Sequence, residues 1–169
     1  MSWHETFIPE LAKVLQPKVY VELGLYEGET IGRVKRACPN TWTIGVDHIQ
    51  RTIPPGVDFY KMTTVEFLER AKEMKLVIDL LFIDADHSFE SSMRDFVEFS
   101  GLVPDQGVIL LHDTYPKDQS FIHPGYCGTV YRTAEYLRFA AGFEITTIPV
   151  PPGLSIVRKC QSQLPWELI

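Results

Sequence analysis

The sequence predicts an α/β domain of three layers, with a mostly parallel sheet between helices and a β-hairpin closing the chain. Three observations predict it. Short apolar runs ending in glycine or a carboxylate alternate with segments whose apolar residues recur at three- and four-residue steps, the pattern of repeated βα units. Two of those runs, at 80–83 and 108–111, are apolar at every position, as strands buried on both faces are. After the last helical pattern, 143–149 and 154–158 read as two strands joined through Pro151-Pro152-Gly153.

Composition sets the limits. A chain of 169 residues with 45% hydrophobic content is expected to form one domain, 1–169, around a sizeable core. Its formal net charge of −6 speaks against nucleic acid as a partner, because phosphate binding needs clustered Lys and Arg. Cys38, Cys127 and Cys160 form no C-x-x-C pair, so neither a cysteine zinc site nor a disulfide framework is indicated. The chain reads as reduced and cytoplasmic. No basic-then-apolar signal opens it, and the longest apolar stretch, at 76–83, is too short to span a bilayer.

In chain order, Trp3, Phe7, Leu11, Val14 and Leu15 mark an amphipathic leading helix that Pro17 ends. A strand at 19–23 follows, alternating apolar residues with Tyr20 and Glu22. It runs into a glycine turn, and Ile31, Val34 and Cys38 then recur at helical spacing. The turn carries Glu22-x-Gly24-x-x-x-Gly28-x-Thr30, with Glu27 and Glu29 around Gly28. Carboxylates there suit a helix dipole but would repel a pyrophosphate in the same place. A ligand with a cationic end would instead welcome Glu22. The second strand, 41–46, ends at Asp47, near the offset at which a dinucleotide fold places its ribose-binding acid. A Pro-rich loop over 51–56 leads to a strand at 57–61, and Thr63 with Glu66 makes a capping box for a helix reaching about Lys75.

The strand at 80–83 ends in Asp84-Ala-Asp-His87, and the next helix shows Phe89, Met93, Phe96 and Val97 as its apolar face. The strand at 107–111 repeats the design and ends in His112, Asp113 and Thr114. Adjacent strands lie about 4.8 Å apart, so Asp84 and Asp113 can converge on one point, as carboxylates do around a hard cation. Neighbouring strand residues point to opposite faces, so His112 and Asp113 are not expected to face the site together, and His112 reads as a packed histidine. Residues 115–128, with Tyr115, Phe121, His123 and Tyr126, are too irregular for an element and read as a lid or binding loop. Val130, Ala134, Leu137 and Ala141 mark a last helix stopped by Gly142.

Glu-Leu-Gly-Leu-Tyr-Glu-Gly-Glu-Thr, together with Phe-Ile-Asp-Ala-Asp-His and Leu-His-Asp, resembles the class I S-adenosylmethionine-dependent methyltransferases. The likeness is strongest to the catechol O-methyltransferase-like group and to related small bacterial methyltransferases, and it covers nearly the whole chain. It implies the Rossmann-like methyltransferase fold, a mostly parallel seven-stranded sheet with one antiparallel strand. It also implies methyl transfer to a hydroxyl of a small molecule, with the cofactor held by Glu22, Gly24, Tyr26, Gly28, Thr30, Asp47, His48, Met62, Thr63 and Asp84. In the metal-dependent members an Asp ends the fourth strand, an Asp-Asn pair ends the fifth, and a Lys three residues past the first Asp is the base. Here Asp84 and Asp113 take the carboxylate positions for a divalent cation such as magnesium. Thr114 stands where Asn is usual, and His87 takes the place of the Lys as catalytic base.

Two other classes share these features. An NAD-dependent oxidoreductase would share the fold, against which stand the loop carboxylates and the missing third glycine. A non-catalytic S-adenosylmethionine-binding domain, or a partner subunit of a modification system, would share the cofactor residues. The expected partner is a small-molecule acceptor, with no nucleic acid and no membrane; Trp166 in the tail can pack on the body or on a partner, and a homodimer is one assembly open to the chain.

Overall fold

A computed structural model describes residues 2–49 and 52–160. Arg51 of the Pro-rich loop and the tail with Trp166 lie outside the described residues. The elements run α1 (His4–Leu15), β1 (Val19–Leu23), α2 (Glu29–Ala37), β2 (Trp42–Asp47), β3 (Asp58–Lys61), α3 (Thr64–Glu73), β4 (Leu80–Ile83), α4 (Phe89–Ser100), β5 (Val108–His112), α5 (Tyr131–Leu137), β6 (Phe143–Ile148) and β7 (Leu154–Lys159). The strands form one seven-stranded sheet in the order β3-β2-β1-β4-β5-β7-β6. Strands β1 to β5 pair in parallel, and β7 runs antiparallel to both of its neighbours, inserted one place from the edge as the resemblance implied.

The pleat sorts the side chains into two cores. Val21, Leu23, Leu81 and Ile83 face α3, α4 and α5, where they meet Phe67, Phe96, Phe99 and Leu137. Tyr20, Leu80 and Phe82 face the other way, onto Ile8 and Ala12 of α1 and Ile31 and Val34 of α2. All four residues of β4 are buried, which is why the sequence shows no alternation there. Each large apolar side chain so placed contributes about 1.5–3 kcal/mol. Among the described residues no helix is long and apolar enough to cross a membrane.

Two helix readings need correction. Val97 is exposed on α4, and Phe99 takes the inward position, because the buried face follows Ser92, Asp95, Phe96 and Phe99. The last helix stops at Leu137 rather than at Gly142. There Phe139 and Ala140 donate to Tyr136 and Leu137, so the turn tightens to three-residue bonds and puts Phe139 into solvent. The loop before α5 is also less irregular than expected, holding a 3-10 turn at Gln119–Phe121.

The chain begins in mid-sheet at β1, runs outward to β3, and crosses back to place β4 on the other side of β1. That reversal leaves a crevice beyond the carboxyl ends of β1 and β4, the position at which open α/β sheets take ligands.

Candidate active site

The crevice is a cavity of about 690 Å³, lined from one side by the ends of β1, β2 and β3 and from the other by the ends of β4 and β5. Its floor depends on Gly24, where β1 ends with φ +86°; a Cβ there would lie 2.2 Å from the Asp84 carbonyl oxygen. Only a glycine allows that approach, and it draws the ends of β1 and β4 together. Glu22 and Tyr20, two apart and so on one face of β1, meet within this contact: the Tyr20 hydroxyl donates to Glu22 Oε2 at 2.6 Å. Burial holds the Glu22 carboxyl well above the usual carboxylate range, opposed by the Tyr20 bond and reinforced by the charge of Asp84. Burial thus favours the neutral acid, and a cation brought against Glu22 would favour its charged form.

Asp47 ends β2 and is itself buried. Its carboxylate accepts from the Leu25 N–H at 3.2 Å and the Ile49 N–H at 2.8 Å, so it joins the loops after β1 and β2 and fixes its own orientation. Tyr26, Thr30, His48, Met62 and Thr63 line the cavity alongside it. Gly28 does not; it is the N-cap of α2, and a Cβ there would meet the Pro54 ring. The Thr63 side chain is engaged in the capping box with Glu66, so it offers the cavity chiefly its position. Next to it, Thr64 Oγ1 donates to Asp95 at 2.9 Å, and Arg94 donates to the same carboxylate. Arg94 and Asp95 line this end of the cavity, and no local motif in the sequence marks them.

At the opposite side, Asp84, His87 and Asp113 each offer one ligand atom, and the three atoms lie within 4.8 Å of one another. His87 Nε2 stands 3.3 Å from Asp113 Oδ2 and 3.9 Å from Asp84 Oδ1. His87 Nδ1 bonds to the backbone carbonyl of Tyr126. The reach to Tyr126 depends on a second glycine: a Cβ on Gly128 would lie 1.9 Å from the His87 carbonyl oxygen, and the Thr129 N–H donates to that oxygen at 2.8 Å.

His112 corrects the alternation argument. Both His112 and Asp113 face the cavity, because Asp113 has φ +58° and the chain leaves the pleat at that residue. His112 is packed and satisfied, as expected, but within the site: Nδ1 lies 3.0 Å from Asp84 Oδ1 and Nε2 3.0 Å from His4 Nδ1. Burial alone would lower its pKa, yet the charge of Asp84 and the bonds to Asp113 and Asp84 push it up to about 10. His4 is brought down to about 4 by burial and by the charge on His112. The pair is therefore one imidazolium donating to one neutral ring. Burial raises the Asp113 carboxyl, but the bond and charge of His112 and the charge of His87 outweigh it and hold the group below the usual range. The Cys127 thiol, buried beside Asp113, is pushed up to about 12 and stays protonated.

Thr114 is not in the cavity lining. Its hydroxyl accepts from Ser155 at 2.9 Å and ties β5 to β7. His4 and Cys127 are functional-site residues that sequence reasoning missed. The leading helix was recognised, but nothing local marks His4 as the partner of a residue 108 positions away.

A family model described as a methyltransferase domain matches residues 21–114. No curated protein matches the chain by sequence. Among solved structures, an O-methyltransferase from Bacillus cereus in complex with S-adenosylhomocysteine superposes with TM-score 0.76 at 15% identity, over 95% of this chain and 82% of its own. A structure described as a putative caffeoyl-CoA O-methyltransferase from Staphylococcus aureus gives 0.75 at 16% identity, over 95% and 84%. A Streptomyces achromogenes O-methyltransferase involved in tomaymycin synthesis, in complex with S-adenosylmethionine, gives 0.74 at 16% identity, over 94% and 80%. At these identities the likeness is one of fold.

Proposed function

The chain belongs to the methyltransferase-domain family, and from that premise we propose that it transfers a methyl group from S-adenosylmethionine to a hydroxyl of a small molecule. The observation that carries the reading is the pair of buried carboxylates, Glu22 and Asp47, at the ends of adjacent strands in one cavity. The structural relatives from Bacillus cereus and Streptomyces achromogenes hold the demethylated cofactor and the cofactor itself. S-adenosylmethionine supplies a methyl group already activated on sulfur, so the chain's task is placement and proton removal.

Glu22 answers the positive end of the cofactor, and Asp47, held by two backbone N–H groups, accepts from the ribose hydroxyls. Met62 and Thr63 flank the adenine. The acceptor enters from the side of Asp84, His87 and Asp113, against Phe121 and Tyr126 of the loop at 115–128. Arg94 is the only Lys or Arg among the described residues lining the cavity, which favours an acceptor without a phosphate or other strong anion. His87 Nε2 is placed to take the acceptor's proton. The oxygens of Asp84 and Asp113 also suit a divalent cation, which would supply a lowered pKa to the acceptor hydroxyl.

Calorimetry on the purified protein with S-adenosylmethionine, S-adenosylhomocysteine and NAD tests the cofactor; binding of NAD with no adenosyl compound overturns the reading. Transfer of labelled methyl to pooled phenols and sugars, followed by separation, tests the acceptor class. Label found only on amines or on protein would remove the hydroxyl.

A further inference from the structure

We propose that His87 is a metal ligand, and that Asp84, His87 and Asp113 form a nitrogen-containing site that prefers a transition-metal ion over magnesium. The proposal deepens the methyl-transfer reading, on which it rests for the place of the metal beside the acceptor. Its argument starts at Nδ1. A backbone carbonyl can only accept, so the bond to the Tyr126 carbonyl puts the ring proton on Nδ1. In its neutral form a ring so bonded presents its lone pair at Nε2, towards Asp113 Oδ2 at 3.3 Å and Asp84 Oδ1 at 3.9 Å. The His112 imidazolium faces the same two oxygens, at 3.0 Å from Asp84 and 3.5 Å from Asp113, and offsets one of the two carboxylates. The second carboxylate and the Nε2 lone pair still call for a cation, the three ligand atoms lying within 4.8 Å of one another.

The supports around the three atoms are those of a ligand set. A ligating imidazole almost always donates its other N–H to a carbonyl or carboxylate, and ligating carboxylates are themselves held by hydrogen bonds. His87 has the Tyr126 carbonyl, with the Gly128 approach fixing the loop against its backbone. Asp84 has His112 Nδ1 at 3.0 Å, and Asp113 has His112 and the Cys127 thiol. The amide oxygen usual in the resembled enzymes is absent, because Thr114 is turned to Ser155. The third donor is therefore the imidazole, from the loop after β4 rather than from the end of β5.

The exchange alters which metal fits. Magnesium wants oxygen ligands and water, whereas imidazole suits zinc, cobalt, nickel, iron and copper. It also changes the choice between base and metal, since both would use the same Nε2 atom. With a metal bound, the Nε2 lone pair would be engaged, and the proton released from the acceptor hydroxyl would pass to solvent water.

Calorimetric titration of the metal-free protein with magnesium, manganese, cobalt(II) and zinc chlorides tests this, in wild type and in His87→Gln, whose amide leaves an oxygen at the site. The expected result is a zinc-to-magnesium affinity ratio that falls at least tenfold in His87→Gln, while magnesium affinity stays within about threefold. Retained binding of S-adenosylmethionine shows that the variant is folded, and it reports the methyl-transfer reading separately. A second measurement needs no variant: the imidazole nitrogens of the protein's five histidines are followed by NMR as zinc is added. Loss of the lone-pair signal of one ring, at Nε2, supports ligation. An unchanged ratio in His87→Gln, a zinc titration that leaves every imidazole unmoved, or no metal binding at all overturns the proposal. In the last case the cofactor reading stands.

Discussion

The two sides of the cavity are built differently. On the side of β1 to β3, each functional group is set by its near neighbours in sequence: Glu22 by Tyr20 two residues away, Asp47 in part by Ile49, and Thr63 by Glu66. On the side of β4 and β5 the partners are remote. His87 is anchored by a carbonyl 39 residues on, and His112 by a ring 108 residues back. Local contacts form whenever the strand and turn form, so the first side is a ready receptor for a common ligand. The second side is complete only when the loop at 115–128 and helix α1 have docked, which is where enzymes on one fold come to differ in acceptor.

The sharpest way to break this comparison is to damage one side and ask whether the other notices. Asp113→Asn keeps the size of the side chain, and Asn tolerates the left-handed backbone that Ala would strain. Methyl transfer should fall at least about a hundredfold, roughly 2.7 kcal/mol of barrier. Affinity for S-adenosylmethionine should stay within about twofold, since distant sites add independently. Loss of both functions together would mean that the two sides form one unit. The converse test is Asp47→Ala, with an expected loss of about 1.5–3 kcal/mol in cofactor binding and turnover preserved once cofactor saturates. Calorimetry and initial rates on the same preparation decide it; an unchanged affinity would remove Asp47 from the ribose.

How much was legible in the sequence follows the same division. Every strand was readable, because apolar runs and their terminal Gly24, Asp47, Asp84 and Asp113 are local signals, and the capping box at Thr63 is spelled out within four residues. Glu22 was legible through its charge, because Glu27 and Glu29 in the same turn speak against a pyrophosphate and a ligand with a cationic end would welcome it. The orientation of His112 was not. It follows from one left-handed residue, Asp113, which looks like any other strand-end carboxylate. Nor could the sequence show that His87 Nδ1 would find the Tyr126 carbonyl, since backbone acceptors carry no residue-type signature and the meeting is arranged by Gly128. Thr114 stands where the resembled enzymes carry Asn, but its partner, Ser155 on an antiparallel strand, has no local signature.

The smallest expected effect is on stability, and it separates the two sides by pH. In the metal-free protein His112 is held at a pKa of about 10, against 6.5 in an unfolded chain. The native state therefore keeps a proton that the unfolded state gives up. Its contribution to stability is fully present below about pH 6.5 and drains away as pH rises towards 10. His4 works in the opposite sense: its folded value of about 4 means that the unfolded chain binds the proton first, so stability is lost as pH falls from 6.5. Between pH 7 and 9 the His4 contribution is complete. Glu22 and, towards pH 9, the Cys127 thiol act in the same direction as His112, whose own slope is at most about 1.4 kcal/mol per pH unit. For a chain of this length that is roughly 3–6 °C in melting temperature per unit. His112→Gln should flatten this alkaline slope, measured in chelator by thermal unfolding, because Gln cannot carry the charge that Asp84 and Asp113 hold in place. Asp47→Ala, on the other side, should leave the slope as it is in wild type. Parallel curves for wild type and His112→Gln would mean that the ring is neutral in the native protein, and that the carboxylates of β4 and β5 draw their compensation from elsewhere.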